Sequence, residues 1–600
     1  MDKRIPRELL FGNPEKASPK ISPDGRRWAY LAPDEGVLNV WVGPEGGTAR
    51  PLTQDRGRGV RNFLWAEDQR SILYVQDKDG DENWHLYQTD LESGQTRDLT
   101  PFPGVQAQIV ATEPRLPDQI LVALNDRDPR AHDVYRVNLT DGARVLEARN
   151  PGDVIGWLSD KDLRVRAAKA MRPDGGSIIR LREGEAWRDF LSCGPDDQLG
   201  AHGFSPDGKN IYIESSVGRD TAALLEAPLD GGPTKILAED PESDLAGVLI
   251  HPRDYRVEAA LFETDRQRWQ VLDPALAADF AAFSTLDGDV SIVSRDDADA
   301  VWYLLVNRPD RSPSFWRWDR QTRTARFLFA TRPKLDGWDL APMEPVAFAA
   351  RDGLKIRAYL TRPAGQTIKK PPLVVLVHGG PWVRDHWGFH PEAQWLASLG
   401  FSCLQVNYRG SAGFGKNFLH AGDREWGAKM QDDLTDAVNW AVAAGAADPA
   451  RVAIYGGSYG GYAALAGAAF TPGVYRCAVD VVGPSNLITL IRSIPPYWEP
   501  MKRIFDLRVG AVDTEEDFLK SRSPFFHAER IDIPLLIAQG ANDPRVKQAE
   551  SEQIVAALRA KDRPVEYLLF ADEGHGFAKP ENRLKFYSAA EAFLARHLSA

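Results

Sequence analysis

A turn-rich group followed by a short apolar run returns about every 45 residues through the first half of this 600-residue chain, the spacing of a four-stranded propeller blade. The turn at 22–25 (Ser-Pro-Asp-Gly) precedes Trp-Ala-Tyr-Leu at 28–31, and the turn at 204–208 (Phe-Ser-Pro-Asp-Gly) precedes Ile-Tyr-Ile at 211–213. The same pairing joins 65–68 to 72–75, 112–114 to 120–124, 157–160 to 163–165, 251–253 to 257–261 and 294–296 to 301–306. Each unit carries a second strand-like run, at 38–42, 84–87, 134–137, 178–181, 223–226, 269–272 and 315–318, and several of these lead into a Gly- or Asp-containing turn. One such unit cannot bury its apolar face alone, so the units must stack. Residues 18–332 therefore predict a β-propeller of about seven blades. An irregular all-β sandwich is the other arrangement the pattern admits.

The remainder changes character. Residues 332–338 read as a linker, and the runs 346–350 and 354–360 around Asp352-Gly353 predict a hairpin that opens a second sheet. Apolar strand-like runs follow at 372–377, 451–455, 477–482, 533–540 and 565–570, with helix-forming segments among them. This predicts a doubly wound, mostly parallel α/β domain over 333–600. Residues 1–17 form a proline-punctuated extension whose packing the sequence leaves open.

Within that domain, residues 456–460 read Gly-Gly-Ser-Tyr-Gly. An apolar strand precedes them and an alanine-rich helix former follows. A serine between glycines at a sharp strand-to-helix turn has its hydroxyl pushed outward, which marks Ser458 as a candidate nucleophile. A serine hydroxyl needs a base, and the base needs an orienting carboxylate. In this architecture they follow in the order Ser, Asp, His. Asp543 stands just past the run 533–540, and His575 lies in a glycine-flanked loop just past 565–570. Taken singly, a turn aspartate and a loop histidine would be ordinary. Three in order, each at a strand's C-terminal end, predict a catalytic triad. The Tyr459 N–H offers one oxyanion donor, and the loop after the strand 372–377 offers the second, from Gly380 or alternatively Gly379.

These motifs resemble a known family. His378-Gly379-Gly380-Pro381, Asn407-Tyr408-Arg409-Gly410-Ser411, the Ser458 motif, Asn542-Asp543-Pro544-Arg545 and Asp572-Glu573-Gly574-His575-Gly576 together look like the prolyl oligopeptidase family of serine peptidases, most like its acylaminoacyl-peptidase branch. That family sets a propeller over an α/β-hydrolase domain, in agreement with the repeat. Elsewhere in it a tyrosine that helps form the oxyanion hole stands where this chain has His378, so the resemblance implies backbone donors here. It also implies that Arg545 holds a substrate carbonyl. A salt bridge is the alternative for Arg545. The resemblance implies cleavage of short peptides of acylaminoacyl, aminoacyl or oligopeptide type, through an acyl-enzyme on Ser458, with the propeller restricting access. A carboxypeptidase or an esterase would use the same triad. A binding propeller on an inactive hydrolase is the non-enzymatic alternative, opposed by the intact Ser458, Asp543 and His575. No pair of propeller glutamates could be assigned to gripping a free N-terminus.

Leu487, Leu490 and Ile494 fall three and four apart after the strand 477–482, so they predict either one helix face lining an apolar pocket near Ser458 or ordinary core packing. The net charge of −12 disfavours nucleic acid and anionic membranes as partners. Neither an apolar leader nor a membrane-length apolar run is present in the sequence, and three sparse cysteines suit a reducing cytoplasm. No metal or cofactor is implied, and homo-oligomerisation is left open.

Overall fold

The computed structural model describes residues 4–364 and 370–598. Among the described residues, seven small antiparallel sheets run in chain order from Ala17–Ile21 to Thr324–Ala330. Each blade is built from consecutive strands, and the ring closes between the first and last blades. There the Ile21 N–H donates to Ser294 Oγ at 3.1 Å and the Asp297 N–H to Pro23 O at 2.8 Å. Ile21, Trp28 and Tyr30 share one apolar cluster with Val301, Tyr303 and Phe329 across that seam.

Six sheets have four strands, but the sixth blade has three, Leu245–Ile250, Val257–Glu263 and Gln267–Val271. The uniform repeat expected from sequence breaks here for a local reason. Asp273 accepts from the Ala275 N–H at 2.9 Å, Pro274 opens a 3-10 turn, and the alanine-rich helix Ala277–Phe283 replaces the outer strand. Phe283 then packs edge-on against Trp318 of the last blade at 5.1 Å.

The second domain is one eight-stranded sheet. Its order is Met343–Ala349, Lys355–Thr361, Ser402–Asn407, Leu373–Val377, Val452–Gly457, Cys477–Val481, Leu535–Gly540, Val565–Phe570. The first two strands form the expected hairpin and the last six run parallel. Leu373–Val377, Ser402–Asn407 and Leu535–Gly540 are buried along their whole length, as strands covered by helices on both faces must be. Cys403 and Cys477 are buried in this core. The N-terminal extension packs on this domain, with the helix Arg7–Phe11 placing Phe11 in a 3.4 Å stack on Tyr587 and Arg7 2.6 Å from Glu591. No helix among the described residues is long and apolar enough to cross a membrane.

Candidate active site

Ser458 sits between the strand Val452–Gly457 and the helix Tyr459–Phe470 with φ 57° and ψ −120°, a strained turn for a residue with a side chain. The glycines make the turn possible: a Cβ on Gly460 would stand 2.1 Å from Val377 O. Three strand ends bring the predicted residues together. His575 Nε2 lies 3.0 Å from Ser458 Oγ, and His575 Nδ1 lies 2.7 Å from Asp543 Oδ2. Asp543 is buried, and its other oxygen accepts the N–H groups of Arg545 and Val546 at 2.9 and 3.0 Å. Those two bonds fix the carboxylate and leave Oδ2 for the imidazole. The Ser–His–Asp chain of contacts is the one that a base and its orienter require.

Tyr459 opens its helix, so its N–H has no carbonyl one turn back. Gly379 and Gly380 line the same cavity as Ser458 and Tyr459. A Cβ on Gly379 would come within 3.4 Å of Ser458 Cβ, and Gly380 adopts φ 109°, so side chains are unwelcome at both. His378 shapes this loop from behind: Nε2 meets Ser411 Oγ at 3.0 Å, and the ring stacks on Tyr408 at 4.4 Å. Burial pushes the His378 pKa down.

Two adjoining cavities share a wall beside the triad. One, of about 640 Å³, contains Ser458 and His575 and is walled by Trp382, Trp426, Leu490, Phe505 and Val546. The other, of about 600 Å³, reaches into the propeller past Glu82, Gln106, His132 and Trp157. Trp498, Met501 and Arg545 belong to both. The expected apolar face on 487–494 is only partly realised. Leu490 lines the cavity, whereas Leu487 is sealed in the core. Ile494 lies beyond the helix, which spans Leu487–Arg492 and stops at Ser493, so the three residues never share one face. The segment 498–508 supplies the rest of the wall.

The Arg545 side chain pairs across the domain boundary rather than with Asp543. Its Nε lies 2.8 Å from Oε1 of Glu82, a propeller residue, and its guanidinium stands 5.8 Å from the Trp498 ring. The other Glu82 oxygen accepts from the Tyr497 hydroxyl at 2.8 Å. Glu82 is only 8% exposed and has φ 58°. It was not singled out from the sequence. The available signal is the acidic insertion 77–84 between the strands Ser71–Gln76 and His85–Asp90, where the first and third blades use short turns.

That loop is clamped onto the catalytic loops. Asn542 Nδ2 donates to Asp79 O at 3.0 Å, and a Cβ on Gly80 would stand 2.3 Å from the Gly574 nitrogen. Below it, propeller Arg58 donates to buried Glu573, two residues before His575, at 2.7 Å. At the opposite mouth of the propeller, Tyr255 of the sixth blade donates to Glu113 of the third, which crosses the lumen. Among the described residues one cluster, His251, Glu258 and Asp299, has metal-ligand spacing. Its carboxylates are already engaged by Arg295, Arg256 and Arg320, as members of an ion-pair network.

The model of the prolyl oligopeptidase family matches residues 387–600. The dipeptidyl aminopeptidase BIII of Pseudoxanthomonas mexicana is 45% identical over 99% of this chain and 88% of its own length. The dipeptidyl peptidase family member 6 of Caenorhabditis elegans is 35% identical over 99% of this chain and 86% of its own. A puromycin-hydrolyzing peptidase of Mycobacterium tuberculosis superposes with a TM-score of 0.79 at 23% identity, covering 99% of this chain and 96% of that one.

Proposed function

This chain belongs to the prolyl oligopeptidase family and is a serine peptidase acting on peptides, and from that premise we propose that it releases dipeptides from the free N-termini of short peptides. The observation that carries the reading is Glu82. A nearly buried carboxylate, held in a strained conformation and aimed at the cavity beside the triad, suits a substrate ammonium. An ionised carboxylate has about four acceptor sites, of which the Tyr497 hydroxyl takes one while Arg545 pairs with it by charge. The names of the two full-length relatives point the same way.

In this mechanism Ser458 Oγ attacks the second residue's carbonyl as His575 Nε2 takes its proton. Asp543 holds the imidazole tautomer and stabilises the imidazolium. The N–H groups of Tyr459 and Gly380 hold the oxyanion. His575 then protonates the leaving amine, and water hydrolyses the acyl-enzyme on Ser458 by the reverse proton path. Arg545 holds the first residue's carbonyl while Glu82 takes the N-terminus. Access is restricted to short or unfolded chains, a reading supported by the docked loop 77–84 and the Tyr255 crossing. Digestion of a mixed peptide set read by mass spectrometry tests this. Dipeptide ladders from free N-termini, lost on N-acetylation, are expected. Single acylated residues, C-terminal residues, or fragments of a native folded protein would each overturn the reading.

A further inference from the structure

The cavity that holds Ser458 has apolar walls of Trp382, Trp426, Leu490, Ile504, Phe505 and Val546, yet one side chain in it is out of keeping. Arg508 ends the helix Lys502–Arg508 with its side chain only 13% exposed. Its guanidinium donates no hydrogen bond to any described residue. The nearest carboxylate oxygen, Asp423 Oδ1, is 3.9 Å away, and the other oxygen of Asp423 is taken by His420 Nδ1 at 2.7 Å. The remaining contact is the Trp382 ring at 5.4 Å. The other arginine of the cavity, Arg545, has Glu82. A guanidinium carries five donors and does not release its proton in proteins, so taking it out of water without a bonded acceptor is costly. Burial indeed disfavours the Arg508 charge, with Asp423 and Asp196 opposing that weakly. A residue arranged this way gains its missing partner when a ligand brings an acceptor into the cavity.

Substrate geometry says which part of the ligand that is. With the N-terminus at Glu82 and the first carbonyl at Arg545, the side chain of the residue whose carbonyl meets Ser458 enters the cavity that contains Ser458. We propose that Arg508 is the specificity determinant of this pocket and that the protein favours peptides with an acidic side chain at the residue donating the scissile carbonyl. The apolar walls cover the methylenes of such a side chain, and the guanidinium receives its carboxylate. The assignment rests on the dipeptide reading for its direction. A structural Arg508, placed only to face the C-terminal end of its short helix, would instead serve all substrates alike.

The test uses the full-length enzyme with Ala-Glu, Ala-Gln and Ala-Leu aminomethylcoumarin amides, together with the acetyl-Glu and acetyl-Gln amides. Wild type should prefer Glu over the isosteric Gln by at least tenfold in kcat/KM. Arg508→Gln should lose at least tenfold more on Glu than on Leu, and Arg508→Lys should restore part of the difference. Glu and Gln within twofold of each other in wild type would overturn the proposal. So would parallel losses on all three dipeptide substrates in Arg508→Gln. Cleavage of the acetylated amides alone would sink the dipeptide reading, while their Glu-to-Gln ratio would still decide the role of Arg508.

Discussion

The two domains bury their apolar residues in different ways. In the hydrolase domain, strands such as Leu373–Val377 and Leu535–Gly540 are buried end to end, and one continuous cluster runs from the sheet into the helix Tyr459–Phe470. In the propeller, strands such as His85–Asp90 are buried at only two positions, outer strands such as Thr324–Ala330 are largely open, and the core is divided into small clusters between neighbouring blades. A continuous core holds Ser458, Asp543 and His575 in one rigid frame. A divided core frees each blade's turns to differ without disturbing the next blade. The acidic loop 77–84 uses that freedom, so chemistry resides in one domain while Glu82, the N-terminal anchor in our reading, comes from the other.

The sharpest separation of the two roles is Ser458→Ala. It should lose about 10⁵–10⁶-fold in kcat with an unchanged melting temperature, and His575→Ala should lose a similar amount without multiplying it. Wild-type-like turnover in purified Ser458→Ala would remove the hydrolase domain from the chemistry.

Glu82→Gln tests whether the propeller recognises substrate. It should cost roughly 1.5–3 kcal/mol in kcat/KM on free-amine dipeptide amides, about 10- to 150-fold, with little change on N-acetylated substrates. Arg545→Met should cost a similar amount on the same dipeptide amides, and the double variant less than the sum, because the two side chains form one ion pair. A minimal ester that reaches neither residue should be little affected. Equal losses on peptide and minimal ester would leave Arg545 with a structural role only.

The smallest effect belongs to the propeller alone. Burial, with Asp297 nearby, raises the Glu67 carboxyl from its ordinary 4.5 to about 7. Its folded value lies above its unfolded one, so the stability it contributes is full below about pH 4.5 and lost as pH rises through 7. The loss amounts to about 1–3 kcal/mol. Glu67→Gln should therefore gain on wild type in denaturant melts between pH 5 and pH 8. A pH-independent difference would show that Glu67 ionises freely.

Much of the site was legible because its signals are local. Ser458, Asp543 and His575 each follow an apolar strand, and Gly456 and Gly460 reveal the turn between strand and helix. The propeller was legible because a repeat states the same turn and strand several times. Its sixth blade was not, since the helix Ala277–Phe283 replaces a strand only by packing on Trp302 and Trp318 of the seventh.

By itself, then, the sequence determined the two architectures, the order of the triad and the loop that carries Gly379 and Gly380. It could not decide which distant groups face that triad. Arg58 meets Glu573 across 515 residues, and Glu82 meets Tyr497 across 415. Nor could spacing show that Ile494 falls off a helix ending at Arg492, or that Arg508 turns into the cavity without a bonded acceptor. Local patterns record what a residue does to its own backbone. Partners hundreds of residues apart are set by how the closed ring sits on the sheet, and that depends on the summed contacts of both domains rather than on any segment of the chain.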